Sequence, residues 1–238
     1  MSKVRLFIDH PLGSGQAVPL TADQAHYLSG VMRLRPGDVI EIFNGRDGAW
    51  DGVLQSASKR GGEVLATAQV ALQRDPPDLW LIFAPIKKAR TDFIVEKAAE
   101  MGAARIQPVQ TDFTNSERIR QDRLQAHAVE AAEQCGGTFV PEVAALLPLA
   151  RLLDGWDAER RILWADESRV GPADTLSGLP RGKWAVLIGP EGGFSPAEQK
   201  RLRDATFVHP VSLGPRILRA DTAAVAALAL FQAHLGDW

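Results

Sequence analysis

The chain has 238 residues, 45% of them hydrophobic and 24% charged, with a formal net charge of −2. That composition is ordinary for a globular protein of one large or two small domains, and it excludes a uniformly basic nucleic-acid glove while leaving room for RNA contacts built from local patches. A single cysteine, Cys135, excludes an internal disulfide framework and fits a reducing, cytoplasmic compartment.

From the N-terminus, no sustained apolar segment opens the chain, so no secretory signal is expected. Residues 4–8, 39–43, 50–54 and 63–70 read as strands, with Pro36-Gly37-Asp38, Asn44-Gly45 and Asp47-Gly48 marking turns. Only residues 21–34 look helical. Short strands with tight turns suggest a small β-barrel over residues 1–73. The stretch Arg74-Asp75-Pro76-Pro77-Asp78 interrupts both helix and sheet patterns, so 74–78 is read as a linker to a second domain over 79–238.

Beyond the linker, apolar runs alternate with helical patterns. Strands are expected over 79–84, 105–109, 161–165, 184–189 and 207–212, and helices over 91–101, 117–135, 196–205 and 222–235. Fully apolar strands separated by helices predict an α/β domain, a mostly parallel sheet with helices on both faces. Gly102 and Gly136 fall at helix ends, and Ser195-Pro196-Ala197-Glu198 has the pattern of a capping box. Cys135, near a helix end, reads as a small buried hydrophobe. The longest wholly apolar run, 223–231, is too short to span a bilayer, so no membrane partner is expected.

Two loops carry the chemistry. One is Gly189-Pro190-Glu191-Gly192-Gly193, between an apolar strand and the capping box. The other is Leu213-Gly214-Pro215-Arg216-Ile217-Leu218-Arg219-Ala220-Asp221-Thr222, before the apolar C-terminal helix. Alone, the first fits a tight strand-to-helix turn and the second a core plug. Together they can make a pocket in which main-chain groups and apolar faces hold a nucleoside-like cofactor. The glycine spacing is neither a dinucleotide fingerprint nor a phosphate loop. His10, His26, His127, His209 and His234 are scattered, so no metal site is expected, and no serine nucleophile elbow is present. Basic residues cluster as Arg33-x-Arg35 and Lys87-Lys88-x-Arg90, the latter in a turn after a strand, where parallel sheets bind ligands.

These residues resemble, almost end to end, the bacterial small-subunit ribosomal RNA uridine N3-methyltransferases of the SPOUT superfamily. Arg5-Leu6-Phe7, His26-Tyr27-Leu28 and the segment from Val31 to Asp38 look like that family's PUA-like domain. Glu96 to Gly102 and Glu130 to Cys135 resemble its helical signatures, and the two glycine loops its cofactor motifs. The resemblance implies a trefoil-knotted C-terminal sheet, a homodimer, and S-adenosylmethionine as methyl donor. It implies a cofactor site of Gly189, Glu191, Gly192, Leu213, Gly214, Ile217, Leu218 and Thr222. The implied substrate is uridine 1498 of 16S rRNA, met on the assembled small subunit. Two positions depart from the pattern: Asp221 stands where glutamate is expected, and Gly136-Gly137-Thr138 where an arginine is expected. Asp221 keeps the charge and suits a helix N-cap.

Methyl transfer to uracil N3 needs a group that stabilises charge on the base and a proton acceptor. Arg219 is the candidate for the first, against an ion pair with Asp221 or across subunits; Glu191 or Asp221 is the candidate for the second. Arg5, Arg33, Arg35, Lys87 and Arg90 are the expected RNA contacts. The alternatives are modification of another RNA by the same fold, or a non-catalytic RNA-binding assembly factor.

Overall fold

The computed structural model describes residues 3–115, 118–169, 171 and 176–238. The chain separates between Asp75 and Pro76, but not cleanly: Ala132–Val140 clusters with the N-terminal unit, and Pro141 onward with the C-terminal one.

The N-terminal unit is built on five strands and one short helix. These are β1 (Arg5–Phe7), β2 (Ala17–Leu20), α1 (Ala22–His26), β3 (Val39–Phe43), β4 (Ala49–Ser58) and β5 (Gly61–Ala71). The strand path is β1-β3-β4-β5-β2, parallel between β1 and β3 and antiparallel elsewhere. Alternation in β3 sends Ile40 and Ile42 into a core with Leu6, Val18, Leu28 and Leu54, and turns Glu41 outward. Asn44 makes the expected turn, its side-chain oxygen accepting the amides of Arg46 and Asp47. The segment expected to be one helix over 21–34 is shorter. Thr21 and Gln24 close a capping box on α1, and the chain then widens into a π-helical turn, Tyr27–Val31. It leaves that turn through Arg33 in the left-handed region, with φ of 57°. The sequence pattern also missed β2.

The C-terminal unit contains β6 (Leu79–Phe83), α2 (Lys88–Glu100), β7 (Arg105–Gln110), most of α3 (Gln121–Cys135), β8 (Glu142–Val143), β9 (Leu147–Pro148) and α4 (Leu149–Asp154). β10 (Arg161–Ala165), β11 (Trp184–Ile188), α5 (Pro196–Asp204), β12 (Val208–Val211) and α6 (Ala220–Leu235) follow. The expected start of α3 at Glu117 lies outside the described residues. The sheet order is β12-β10-β11-β6-β7-β8, with β9 also on β7, and every pairing is parallel.

Both faces of this sheet are covered. Ile82, Ala185, Leu187, Ile162 and Trp164 pack with Leu149 and Leu153 of α4 and Leu202 of α5. The alternate residues point the other way, where Trp184 meets Phe231 of α6 at a ring separation of 6.2 Å and α2 packs on α6. All five residues of β11 are buried, the pattern of a strand covered on two sides. On α6, Ala220, Ala224, Ala227, Leu228, Phe231 and Leu235 form the buried stripe, while Val225, Ala226, Ala229 and Leu230 are only half-buried. No helix among the described residues is long and apolar enough to cross a membrane.

Arg5 corrects the first of the expected RNA contacts. Its Nε donates to Glu41 Oε1 at 2.7 Å, Nη1 to the carbonyls of Ala132 and Glu133 at 2.8 and 3.2 Å, and Nη2 to the Gly137 carbonyl at 2.8 Å. The guanidinium carbon also lies 4.7 Å from the centre of the Phe43 ring. The last carbonyls of a helix have no partner within it. Arg5 supplies them for α3 and so ties Ala132–Val140 into the N-terminal unit. Gly136, at φ of 79°, turns the chain out of α3. Cys135, expected to be buried, is exposed at that helix end.

Candidate cofactor site

Four neighbouring strands, β12, β10, β11 and β6, run parallel, so their carboxyl ends share one edge of the sheet. Ligands of open parallel sheets collect at this edge. The loops leaving those four ends build the site.

The loop after β11 is shaped by two close approaches. A Cβ at Gly189 would stand 2.8 Å from the Phe194 ring, and one at Gly193 would stand 2.2 Å from Glu167 Oε1. Gly193 also has φ of 69°, and its amide closes a turn onto the Pro190 carbonyl at 2.9 Å. The capping box follows as expected. Ser195 Oγ accepts from Glu198 N and donates to Asp112 Oδ2 at 2.5 Å, so this hydroxyl is occupied as a cap and an anchor.

The loop after β12 is held by Ser212, whose hydroxyl accepts the Gly214 amide at 3.2 Å. Its Ile217 is 75% exposed. Arg219 is the N-cap residue of α6 and is exposed, without an ion-pair partner among the described residues. The cap expected at Asp221 is therefore displaced by two residues. Asp221 sits inside the first helical turn, where its Oδ1 accepts the Thr222 amide at 2.8 Å. The alternative of an Arg219–Asp221 pair is not formed among the described residues; the cation beside Asp221 is Arg90, at 3.7 Å.

The two loops meet over a cavity of about 220 Å³, whose walls include Gly189, Glu191, Gly193, Ile217, Leu218 and Arg219. A smaller one of about 50 Å³ adjoins it and takes in Leu213 and Gly214 as well as Ile217 and Leu218. Six of the eight expected cofactor residues thus line these spaces. Gly192 instead faces Phe113, 3.4 Å from that residue's Cβ to an ideal Cβ position, and Thr222 is exposed on the first turn of α6. Glu167, at the carboxyl end of β10, lines both cavities and was missed by the sequence reasoning, together with Ala223. The signal for Glu167 was its place directly after an apolar strand that ends at this edge.

Apolar Ile217 and Leu218 with the carboxylates of Glu167 and Glu191 around one cavity suit a ligand with a flat base, hydroxyl groups and positive charge. Adenosine joined to a sulfonium has those properties, so the residues present fit S-adenosylmethionine. Glycines at the walls leave main-chain groups within reach of such a ligand.

Arg90, expected to face RNA, is engaged here. Its Nη1 lies 3.1 Å from Glu191 Oε1 and its Nε 3.7 Å from Asp221 Oδ2, so one guanidinium joins both candidate proton acceptors. Lys87, the N-cap residue of α2, is exposed. The turn before it is fixed by buried Thr91, whose hydroxyl both accepts the Ile86 amide and donates to the Ile86 carbonyl, each at 3.0 Å. A second cavity of about 220 Å³, lined by Lys87, Lys88, Phe113 and Asn115, shares Pro190 and Glu191 with the first.

Comparison with known proteins agrees with this geometry. A family model described as an RNA methyltransferase domain matches residues 73–232, and one described as an RNA methyltransferase PUA domain matches residues 20–66. The chain is similar to a ribosomal RNA small subunit methyltransferase E from Synechocystis, 33% identical over 92% of this chain and 73% of that one. It is also similar to one of the same name from Rickettsia conorii, 28% identical over 94% and 93%. Among solved structures, the enzyme of that name from Neisseria gonorrhoeae, bound to S-adenosyl methionine, superposes with a TM-score of 0.89. It is 29% identical, with both chains covered in full.

Proposed function

Since the chain belongs to the RNA methyltransferase family, we propose that it methylates N3 of a uridine in 16S rRNA, position 1498, using S-adenosylmethionine and acting on the assembled small subunit in the cytoplasm. One observation carries this reading: the two glycine loops share a single cavity that also holds Arg219 and Glu191. The similarity to small-subunit enzymes over nearly the whole chain supports the choice of RNA.

When bound, the donor supplies a methyl group on a positively charged sulfur. The protein's first task is alignment. The Gly189–Gly193 turn and the faces of Ile217 and Leu218 would hold the adenosine so that the methyl points out of the cavity, which converts a two-body collision into an oriented one. Its second task is to carry charge. Uracil N3 bears a proton, and as it leaves, negative charge spreads to the two flanking carbonyl oxygens. Arg219, on the cavity wall and without another partner among the described residues, is placed to stabilise that charge.

For the proton acceptor, the surroundings favour Glu191 over Asp221. Glu191 lines both adjoining cavities, and only Oε1 is taken by Arg90. Asp221 lines neither, its Oδ1 serves the Thr222 amide and hydroxyl, and its Oδ2 faces Arg90. The N3 proton would pass to the Glu191 oxygen that Arg90 leaves free, directly or through water.

The RNA surface would include Arg33 and Arg35 on the N-terminal unit and Lys87 on the C-terminal one, all exposed. The reading also carries a knotted C-terminal threading and a homodimer. The half-buried apolar residues Val225, Ala226, Ala229 and Leu230 on α6 support the homodimer, and sedimentation of the purified protein tests it.

The test of function is to delete the gene and sequence 16S rRNA by mass spectrometry. Loss of one N3-methyluridine, restored by adding the purified protein and S-adenosylmethionine to small subunits from that strain, is the expected result. An unchanged modification pattern overturns the proposal.

A further inference from the structure

Phe113 is a half-exposed aromatic ring on a turn that is tied to the cofactor site. Hydrogen bonds of its neighbours hold the backbone of that turn. The Thr111 amide donates to Thr114 Oγ1 at 2.9 Å, and the Thr114 amide to the Thr111 carbonyl at 3.1 Å. The Asp112 amide donates to Glu198 Oε1 at 3.0 Å, and the Asp112 carboxylate accepts from Ser195. The turn that carries Phe113 is therefore anchored to the start of α5, directly after the Gly189–Gly193 turn, and Phe113 packs beside Gly192. The residue itself remains 45% exposed.

The ring lines a cavity of about 220 Å³ whose other walls are Lys87, Lys88, Asn115, Pro190 and Glu191. The wall made by Pro190 and Glu191 is common to the donor cavity. Lys88 also borders a further groove with Arg118, Arg120 and Arg123. Arg120 and Arg123 are paired with Asp122 and Asp92, whereas Lys88 and Arg118 have no ion-pair partner among the described residues. An open aromatic face, an amide that can donate and accept, and unpaired cations beside them are what an unstacked base on a phosphate backbone requires.

We infer that Phe113 is the stacking platform for the acceptor base, extruded from its RNA strand, with Asn115 at the base edge and Lys87 and Lys88 on the flanking phosphates. This rests on the methyltransferase reading and adds to it the place where the base sits. It puts the base in the cavity that shares Pro190 and Glu191 with the donor cavity, so N3 can meet the methyl at their common edge with Glu191 beside both.

The experiment compares full-length wild type with Phe113→Ala, Phe113→Leu and Phe113→Tyr. Donor binding is followed by calorimetry and methyl transfer on small subunits from the deletion strain. Stacking predicts that Ala and Leu both raise KM for the subunit by about tenfold or more, that Tyr restores it, and that donor affinity stays at the wild-type value in all three. Lys88→Ala would lower the salt dependence of subunit binding by about one unit of slope. A Leu variant with wild-type KM and kcat overturns the inference, because it fills the space beside Gly192 but cannot stack. Wild-type protein that binds no donor overturns the methyltransferase reading as well, so the two failures are told apart.

Discussion

Arg90, in the first turn of α2, holds Glu191, in the loop after β11, by a 3.1 Å ion pair. The pair is partly open to solvent, so it contributes little to stability, below about 1 kcal/mol. Its consequence is geometric, because Glu191 lines both cavities. Arg90→Ala is therefore expected to leave the melting temperature nearly unchanged and to slow single-turnover methyl transfer by up to about 100-fold through misplacement of the acceptor. Arg90→Lys keeps the charge but not the fork that reaches Asp221 as well, and should recover only part of the rate. Stopped quenched-flow transfer at saturating donor measures both. Wild-type rates in Arg90→Ala would reduce the pair to a surface contact.

Arg219 offers a cleaner separation of chemistry from folding. It is exposed at the N-cap of α6 and makes no capping hydrogen bond from its side chain. Arg219→Ala should unfold at the same temperature as wild type. The chemical step should fall by about 10²–10³-fold, the scale of losing one preorganised group at a developing charge. A single-turnover rate equal to wild type would remove Arg219 from the mechanism.

Gly193 tests the shape of the donor cavity. A methyl group there meets Glu167 Oε1 at 2.2 Å and forces a left-handed backbone on an ordinary residue. Gly193→Ala is expected to weaken donor binding strongly, as read by calorimetry. Pairing it with Glu167→Ala removes the collision together with a carboxylate of the donor cavity, so the double variant is compared with Glu167→Ala alone, and the backbone strain, about 1 kcal/mol or more, remains. Binding should return only part of the way to that of Glu167→Ala. Full recovery to that level would assign the whole effect of the added methyl to its collision with the carboxylate.

What could be read from sequence follows from how local each signal is. The apolar runs of β6 and β11, the Ser195–Glu198 capping box and the glycine turns declare themselves within a few residues. The pocket formed by Ile217 and Leu218 was legible because apolar residues beside a proline, in an otherwise loop-like stretch, need a reason. Arg5 was misread because its partners are 36 and more than 120 residues away. Only the register of β1 on β3 and the return of the chain after α3 bring them together. Glu167 and Phe113 belong to the same class. Each is an unremarkable residue in its own segment and acquires a role when parallel strand ends are set side by side.

Arg5 itself gives a stability prediction. Its side chain is 13% exposed and its ion-pair partner Glu41 24%, so removing it strands a carboxylate and the last carbonyls of α3. Arg5→Ala is expected to cost about 3 kcal/mol, and Arg5→Lys most of that, since one ammonium cannot serve four acceptors spread over two segments. Urea unfolding followed by the fluorescence of Trp50, with the other tryptophans replaced, would report the N-terminal unit. If Arg5 were an RNA contact, the variant would instead keep its stability and lose affinity for small subunits.

Acid should weaken the C-terminal unit through His209. The imidazole sits on β12 with its ring 5.3 Å from that of Trp184. Burial, and secondarily the charge of Arg161, holds its pKa below the ordinary value of 6.5. The unfolded chain restores the ordinary value. Above that pH both states are neutral at this position and the group contributes nothing to the pH dependence. As the pH falls below 6.5 the unfolded state takes up the proton first, so stability declines until the folded-state value is also passed. His209→Phe keeps an aromatic ring against Trp184 and removes the titration. Its loss of stability between pH 7.5 and 5.5, each a condition of about one unit to either side of the ordinary value, should be smaller than that of wild type. Equal losses in the two proteins would show that other groups, and not this histidine, set the response to acid in that range.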